Sequence, residues 1–309
     1  MIINILQFLA GGLFIYYGAE YLIKGSKAVA TKYNISSVII GITLVALGTS
    51  LPELIVSIMA NLRGAPGIAI GNVLGSNVAN IGLVLGISAI FSPIYFPFTN
   101  IRFDLYFLIL ITCLPLWFIY IGGLVLWQGI VLILLLIIYC AYLIKSNQLD
   151  DTENNIIVDG NNIILIMQVI PGIIGLAVGA TLFVEGAQGI ALALGVSPLV
   201  IGMSIVALGT SLPELAASLS AVKHGEAGMV IGNIIGSNIM NIVLVLGSTI
   251  IFRNIPTEFS DVLTQGLFML ILTVGLFFLL KWQDRITKLP GVILTLMYIL
   301  FLYFNFQSI

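Results

Sequence analysis

Gly48-Thr49-Ser50-Leu51-Pro52-Glu53 sits inside an apolar run, 37–60, that is long enough to cross a membrane. The same letters return as Gly209-Thr210-Ser211-Leu212-Pro213-Glu214 inside the run 198–221. A carboxylate at bilayer depth costs a few to about ten kcal/mol, depending on how the cost is measured. Each of these two follows a proline, which has no N–H to give the preceding turn and whose ring crowds the carbonyl four residues back. A pair of acids placed at two helix breaks has no obvious use in packing. It reads as one cation site built from two copies of a motif.

The rest of the chain fits a membrane setting. Of 309 residues, 60% are hydrophobic and 8% are charged, against about 25% charged in a soluble domain. The net charge of −2 and the lack of a basic tract exclude nucleic acid as a partner. Cys113 and Cys140 lie in different apolar runs and form no CxxC or Cys/His metal spacing, so they read as free thiols. The first apolar run has no basic segment before it and no small-residue cleavage site, and reads as a retained span.

A spanning helix needs about 20 apolar residues. That rule predicts ten spans, at 2–23, 37–60, 67–92, 103–121, 124–144, 163–184, 198–221, 228–252, 262–280 and 290–306. The hydrophilic stretch 145–162, with Asp150, Asp151, Glu153 and Asp159, divides them into units 1–144 and 163–309. Adding 161 to a residue number carries Gly18 to Gly179, Gly41 to Gly202, Glu53 to Glu214, Asn72 to Asn233, Ser76 to Ser237, Asn80 to Asn241 and Gly86 to Gly247, without a gap. With five spans per copy, the second copy enters the membrane from the opposite face. The predicted fold is therefore all-α and integral to the membrane: ten transmembrane helices in two inverted five-helix repeats, with broken helices at the midplane. Inverted repeats of this kind are characteristic of secondary transporters.

Charge supports that topology. If the linker side is the inside, Lys24, Lys27, Lys32, Arg102, Lys145, Lys223, Lys281, Arg285 and Lys288 lie inside and only Arg63 and Arg253 outside. Such a bias sets orientation. It places both termini outside the cell (inner) membrane and the linker in the cytoplasm.

Two carboxylates, several hydroxyls, amide oxygens and backbone carbonyls make up the candidate donor set. Pro52 and Gly48 leave the carbonyls of Ala46, Leu47 and Gly48 as candidates to be free, and Ala207 repeats Ala46. Thr49 and Glu53 are four apart on one helix face, with Ser50 adjacent. Asn72, Ser76 and Asn80 make a polar stripe spaced by four, matched by Asn233, Ser237 and Asn241, while Gly71, Gly75, Gly82 and Gly86 allow close helix approach. Oxygen-only ligation selects hard cations. Calcium accepts about 6–8 oxygens in irregular geometry, which suits such a site better than magnesium's strict octahedron.

GTSLPE paired with GNxxGSN, each twice, resembles the Na⁺/Ca²⁺ exchanger family of the cation/Ca²⁺ exchanger superfamily in its short prokaryotic form. The resemblance covers both repeats. It implies an antiporter, not an enzyme, with Ca²⁺ and Na⁺ as substrates, no cofactor, and function as a monomer. It also implies that the second, third, seventh and eighth spans enclose the ions while the first and sixth slide as a gate. Carried onto this chain, Glu53, Glu214, Thr49 and Thr210 bind Ca²⁺. The Na⁺ ligands are Ala46, Ser50, Ser76, Ala207, Ser211 and Ser237, and Asn80 and Asn241 line the centre. Many family members carry Asp where this chain has Asn241, which leaves stoichiometry and the participation of K⁺ or H⁺ open.

Other readings stand beside these. The acids could be protonated packing groups, although a duplicated Pro-hydroxyl setting argues against it. Asn72 and Asn233 could equally serve helix–helix hydrogen bonding. Glu20 and Glu185 are not repeat partners and read as solvated or snorkelling groups, His224 as a surface residue, and Trp117, Trp127 and Trp282 as interface anchors. H⁺/Ca²⁺ antiport through the same glutamates is one functional alternative, and a cation channel is another.

Overall fold

The structure is a computed structural model that describes residues 1–149, 162–195 and 209–307. It is helical almost throughout. Eight helices are long and apolar enough to cross a membrane among the described residues, or nine when the bent pair Ser37–Thr49 and Leu51–Leu62 counts as one span. We label α1 Ile2–Lys32, α2 Ser37–Thr49, α3 Leu51–Leu62, α4 Pro66–Phe91, α5 Arg102–Tyr120, α6 Leu126–Leu149, α7 Asn162–Ala193, α8 Leu212–Lys223, α9 Ala227–Phe252, α10 Phe259–Gln283 and α11 Lys288–Gln307. The expected span 198–221 is represented by α8 and the turn before it; its first part lies outside the described residues, as does most of the predicted linker.

The 161-residue repeat extends to the helix boundaries. Leu51–Leu62 maps onto Leu212–Lys223, Pro66–Ala79 onto Ala227–Met240, the π-helical turn Asn80–Leu85 onto Asn241–Leu246, and Gly86–Phe91 onto Gly247–Phe252. Each π turn begins at one of the two candidate asparagines. Such turns interrupt the α ladder and are frequent at functional sites.

α1 and α7 are 31 and 32 residues long, about nine more than the expected apolar spans. The extra turns of α1 carry Lys24, Lys27 and Lys32. At 1.5 Å per residue each helix exceeds the roughly 30 Å hydrocarbon core, and for α1 the lysine-bearing end is the part that extends beyond it. These two repeat-related helices pack on each other through glycines. A Cβ on Gly18 would meet Leu176, Gly175 and Gly172; one on Gly11 would meet Phe183 and Gly179. Contacts that climb α1 thus descend α7, so the pair is antiparallel. The pairing is also reciprocal. Gly172, partner of Gly11, faces Leu22, partner of Phe183, and Gly179, partner of Gly18, faces Ile15, partner of Leu176. Away from this seam α1 exposes Leu6, Leu9 and Leu13, the surface a lipid-facing helix needs.

The centre is made by α4 and α9, the most buried of the long helices, against α2, α3 and α8. Gly232 and Gly236 let α2 approach α9 so closely that a Cβ on either would meet the backbone of Gly41 or Ile42. Outside the bundle, short strands β1 Ile94–Tyr95 and β2 Arg285–Ile286 pair antiparallel, and a bridge joins Leu124 to Ile255. Ile94 and Ile255 are repeat partners, so both loops are tied in the same manner. A salt-bridge cluster joins α1 to the end of α8 and the turn after it: Glu20 to Lys24 (3.1 Å), His224 (3.2 Å) and Lys223 (3.5 Å), and Lys27 to Glu226 (2.6 Å). Glu20 and His224 are thus partnered to a degree the sequence reading did not anticipate. Trp117, Trp127 and Trp282 are exposed, as interface anchors must be.

Candidate ion-binding site

The site forms where the break between α2 and α3 and the start of α8 meet two π-interrupted helices. Pro52 and Pro213 stand near the start of α3 and α8, where a missing N–H costs nothing because first-turn donors have no helical partner. Upstream, Ser50 leaves helical geometry (φ −86°, ψ 4°), Ser211 does the same (φ −87°, ψ 2°), and the axes of α2 and α3 differ by 44°. Glu53 and Glu214 therefore sit in the first turns of α3 and α8. There the positive end of each helix dipole favours negative charge.

One expectation about the backbone needs correction. The Ala46 carbonyl is not left free by the break: it accepts from Ser50 N–H at 3.0 Å and from Thr49 Oγ1 at 3.3 Å. Pro52 has no donor for the Gly48 carbonyl, and the α2 ladder runs one residue further than expected, to Ser50 N–H. It resumes with Leu54 N–H to the Ser50 carbonyl at 3.1 Å.

Glu53 and Glu214 are fully buried. Among the described residues neither oxygen of Glu53 has a hydrogen-bond partner, nor has Oε2 of Glu214. Glu214 Oε1 accepts from Ser50 Oγ at 3.2 Å, a contact that crosses from one repeat to the other. Thr49 Oγ1 lies 3.3 Å from Asn233 Oδ1 and from Ser237 Oγ, and Thr210 Oγ1 donates to Asn72 Oδ1 at 3.4 Å. Ser50, Ser76, Ser211 and Ser237 are buried, and Ser211 Oγ has no partner among the described residues. Asn80 donates to Asn238 Oδ1 at 3.4 Å, while among the described residues its own Oδ1 and both polar side-chain atoms of Asn241 have no partner. Ala207 lies outside the described residues.

An unpaired buried charge costs several kcal/mol, and unpaired amide and hydroxyl groups about 1–3 kcal/mol each. Orphaned oxygens gathered in one place, with two carboxylates among them, are stable when a cation sits between them. The donors are oxygen only, which selects Na⁺ or Ca²⁺ over softer metals.

Some contributors were not singled out from the sequence. Asn238 is buried and bonded to Asn80, and Asn77 is buried with no partner for its Oδ1 among the described residues. The signal for both was present in the repeated Gly-Ser-Asn. Asn61 ties the end of α3 to α9, donating to the carbonyls of Thr249 (3.1 Å) and Arg253 (2.5 Å).

Comparison with known proteins places this geometry in context. The sodium/calcium exchanger protein family matches residues 3–145 and 164–307. An uncharacterized membrane protein of Methanocaldococcus jannaschii is 40% identical over 306 residues, 97% of each chain. The sodium/calcium exchanger MaX1 of Methanosarcina acetivorans is 32% identical over 353 aligned positions, again 97% of each chain. Among solved structures, the sodium-calcium exchanger NCX_Mj soaked with zero Na⁺ and Ca²⁺ superposes with a TM-score of 0.84 at 39% identity, covering 97% of both chains.

Proposed function

The chain belongs to the sodium/calcium exchanger protein family, and from that premise we propose that it is a secondary active antiporter exchanging Na⁺ for Ca²⁺ through one buried site. The observation that carries this reading is the pair of buried carboxylates, Glu53 and Glu214, short of protein partners and ringed by hydroxyl and amide oxygens from both repeats. Glu53, Glu214, Thr49 and Thr210 hold Ca²⁺. Ala46, Ser50, Ser76, Ala207, Ser211 and Ser237 complete the Na⁺ positions, and Asn80 and Asn241 line the middle.

Exchange follows from competition. One Ca²⁺ neutralises both carboxylates, and so do Na⁺ ions in sufficient number. A site holding neither leaves two buried carboxylates without a counter-charge, which opposes closure. Alternation therefore proceeds with either cargo and is disfavoured without one. The family names of the relatives favour Na⁺ over H⁺ as the coupling ion.

The ten-span, inverted topology belongs to the same proposal, with units 1–144 and 163–309 joined by the cytoplasmic linker 145–162. The antiparallel, reciprocal seam of α1 and α7 supports inversion. So do the contacts between loops. The charge bias places Ile94 and Ile286 on one face and Leu124 and Ile255 on the other, and those are the loops that pair. α1 and α7 slide as the gate, a role suited to their peripheral, glycine-lined packing. The protein works as a monomer in the cell (inner) membrane with both termini outside, and needs no cofactor.

The test is Glu53→Gln and Glu214→Gln, which keep side-chain volume and remove the charge that offsets Ca²⁺ dehydration. Each abolishes Ca²⁺ flux in proteoliposomes while the protein still inserts and folds. Flux equal to the unaltered protein in either variant overturns the site assignment.

A further inference from the structure

We propose that Asn72 and Asn233 are positioning residues that aim the threonine hydroxyls of the opposite repeat at the ion. The inference rests on the reading of Thr49 and Thr210 as cation ligands. Both asparagines occupy the same arrangement. Asn72 Nδ2 donates to the Glu53 carbonyl (3.3 Å) and to Ser57 Oγ (2.9 Å). Asn233 Nδ2 donates to the Glu214 carbonyl (3.3 Å) and to Ser218 Oγ (3.0 Å). Each amide is thereby pinned to the carboxylate-bearing helix of its own repeat. Rotating it by 180° would set Oδ1 against a carbonyl oxygen, so the amide has one permitted orientation.

With the donors committed, Oδ1 points across to the other repeat. Asn72 Oδ1 accepts from Thr210 Oγ1 at 3.4 Å. Asn233 Oδ1 accepts from Thr49 Oγ1 at 3.3 Å and from Ser237 Oγ at 3.5 Å. A hydroxyl has one proton and two lone pairs. A hydroxyl that binds a cation must send its proton elsewhere and present a lone pair, and an amide oxygen fixed on the far side enforces that choice. For Thr49 the competing acceptors are the Ala46 carbonyl and Ser237 Oγ, each also at 3.3 Å. Donation to Asn233 leaves that carbonyl's second lone pair for an ion. The same two residues hold each carboxylate helix in register with the opposite threonine, so the two halves of the site are set as one unit. A ligand set fixed in this way pays less ordering entropy on binding.

The experiment measures half-saturating Ca²⁺ and maximal exchange rate in proteoliposomes, together with ion-free thermal melting, for Asn233→Ala, Ser218→Ala, Thr49→Val and Asn233→Ala with Thr49→Val. Loss of one such hydrogen bond predicts a rise in half-saturating Ca²⁺ on the order of 3- to 10-fold in Asn233→Ala, with maximal rate within about two-fold. Ser218→Ala, which only loosens the amide, gives a smaller rise in the same direction and serves if Asn233→Ala fails to fold. In the Thr49→Val background the penalty of Asn233→Ala shrinks, because the threonine it positions is gone while its contacts to Ser237, Ser218 and the Glu214 carbonyl remain. Unchanged half-saturation in Asn233→Ala and Ser218→Ala, whatever their melting temperatures, would reduce the asparagines to packing and overturn the proposal. An undiminished penalty in the Thr49→Val background would do the same. Unchanged half-saturation in Thr49→Val alone would instead refute the threonine as a ligand, a separate failure.

Discussion

Replacing Gly18 by alanine tests the α1–α7 seam with a single methyl group. Its Cβ would lie 2.6 Å from Leu176 N, 2.9 Å from the Gly175 carbonyl carbon and 3.0 Å from Gly172 O. All three are backbone atoms, so no side-chain rotation relieves the clash. Carbon contacts settle at about 3.5–4.0 Å, so the helices must part by about 1 Å along this stretch. Overpacking of that kind costs about 1–3 kcal/mol. Alanine's better helix propensity, about 1 kcal/mol, offsets part of it. The net expectation is a melting temperature lower by a few degrees and slower exchange, because the separated pair is also the proposed gate. Gly179→Ala meets the mirrored set, Ile15 N at 2.6 Å, Phe14 Cβ at 2.9 Å and Gly11 O at 3.0 Å, and carries the same penalty. The double variant costs less than the sum, since one separation relieves both clashes. Gly12→Ala is the control: its nearest neighbour is Phe183 Cδ2 at 3.9 Å, an ordinary contact. Thermal melting of the purified protein in detergent and initial Ca²⁺ flux in liposomes read the outcome. A Gly18→Ala protein that melts and transports like the unaltered one, or a Gly12→Ala protein equally damaged, refutes the reasoning.

Two further outcomes are expected. In a background lacking Cys113 and Cys140, a single cysteine placed within 148–162 reacts with an impermeant thiol reagent only from the cytoplasmic side, and one at the C-terminus only from outside; labelling of both from one side rules out the inverted arrangement. Asn241→Asp sets a third titratable group beside Glu53 and Glu214, so protons compete more strongly with Ca²⁺ and uptake falls more steeply as pH drops from 9 to 6; parallel pH profiles would uncouple position 241 from the two acids.

Much of this architecture is legible in the letters because membrane physics leaves few options. Twenty apolar residues must be helix, and the described helices fall where those runs lie. The 161-residue offset predicted partners that share helix boundaries to the residue, including the π turns at Asn80 and Asn241. What the letters did not carry was governed by contacts between distant segments. The extra turns of α1 carry lysines that hydropathy discards, and those of α7 begin at Glu185 and Gln188, where the apolar run is interrupted. The β1–β2 pairing spans two residues per strand, too short to leave a period-two pattern. The retained Ser50–Ala46 hydrogen bond depends on where the ladder breaks, which proline narrows only to a turn. The cross-repeat reach of Asn72 and Asn233 was ambiguous because a helical stripe indicates a face and not its partner.

The central claim is that Na⁺ and Ca²⁺ compete for one site and drive each other across the membrane. Its most direct test is initial Ca²⁺ uptake into proteoliposomes loaded with Na⁺, with the proton gradient either clamped at zero or imposed. The account predicts saturable uptake that requires the outward Na⁺ gradient, is unaffected by an imposed pH gradient, and vanishes in Glu53→Gln and Glu214→Gln. Uptake that follows the pH gradient with Na⁺ equal on both sides, or that is indifferent to Na⁺ altogether, would contradict it.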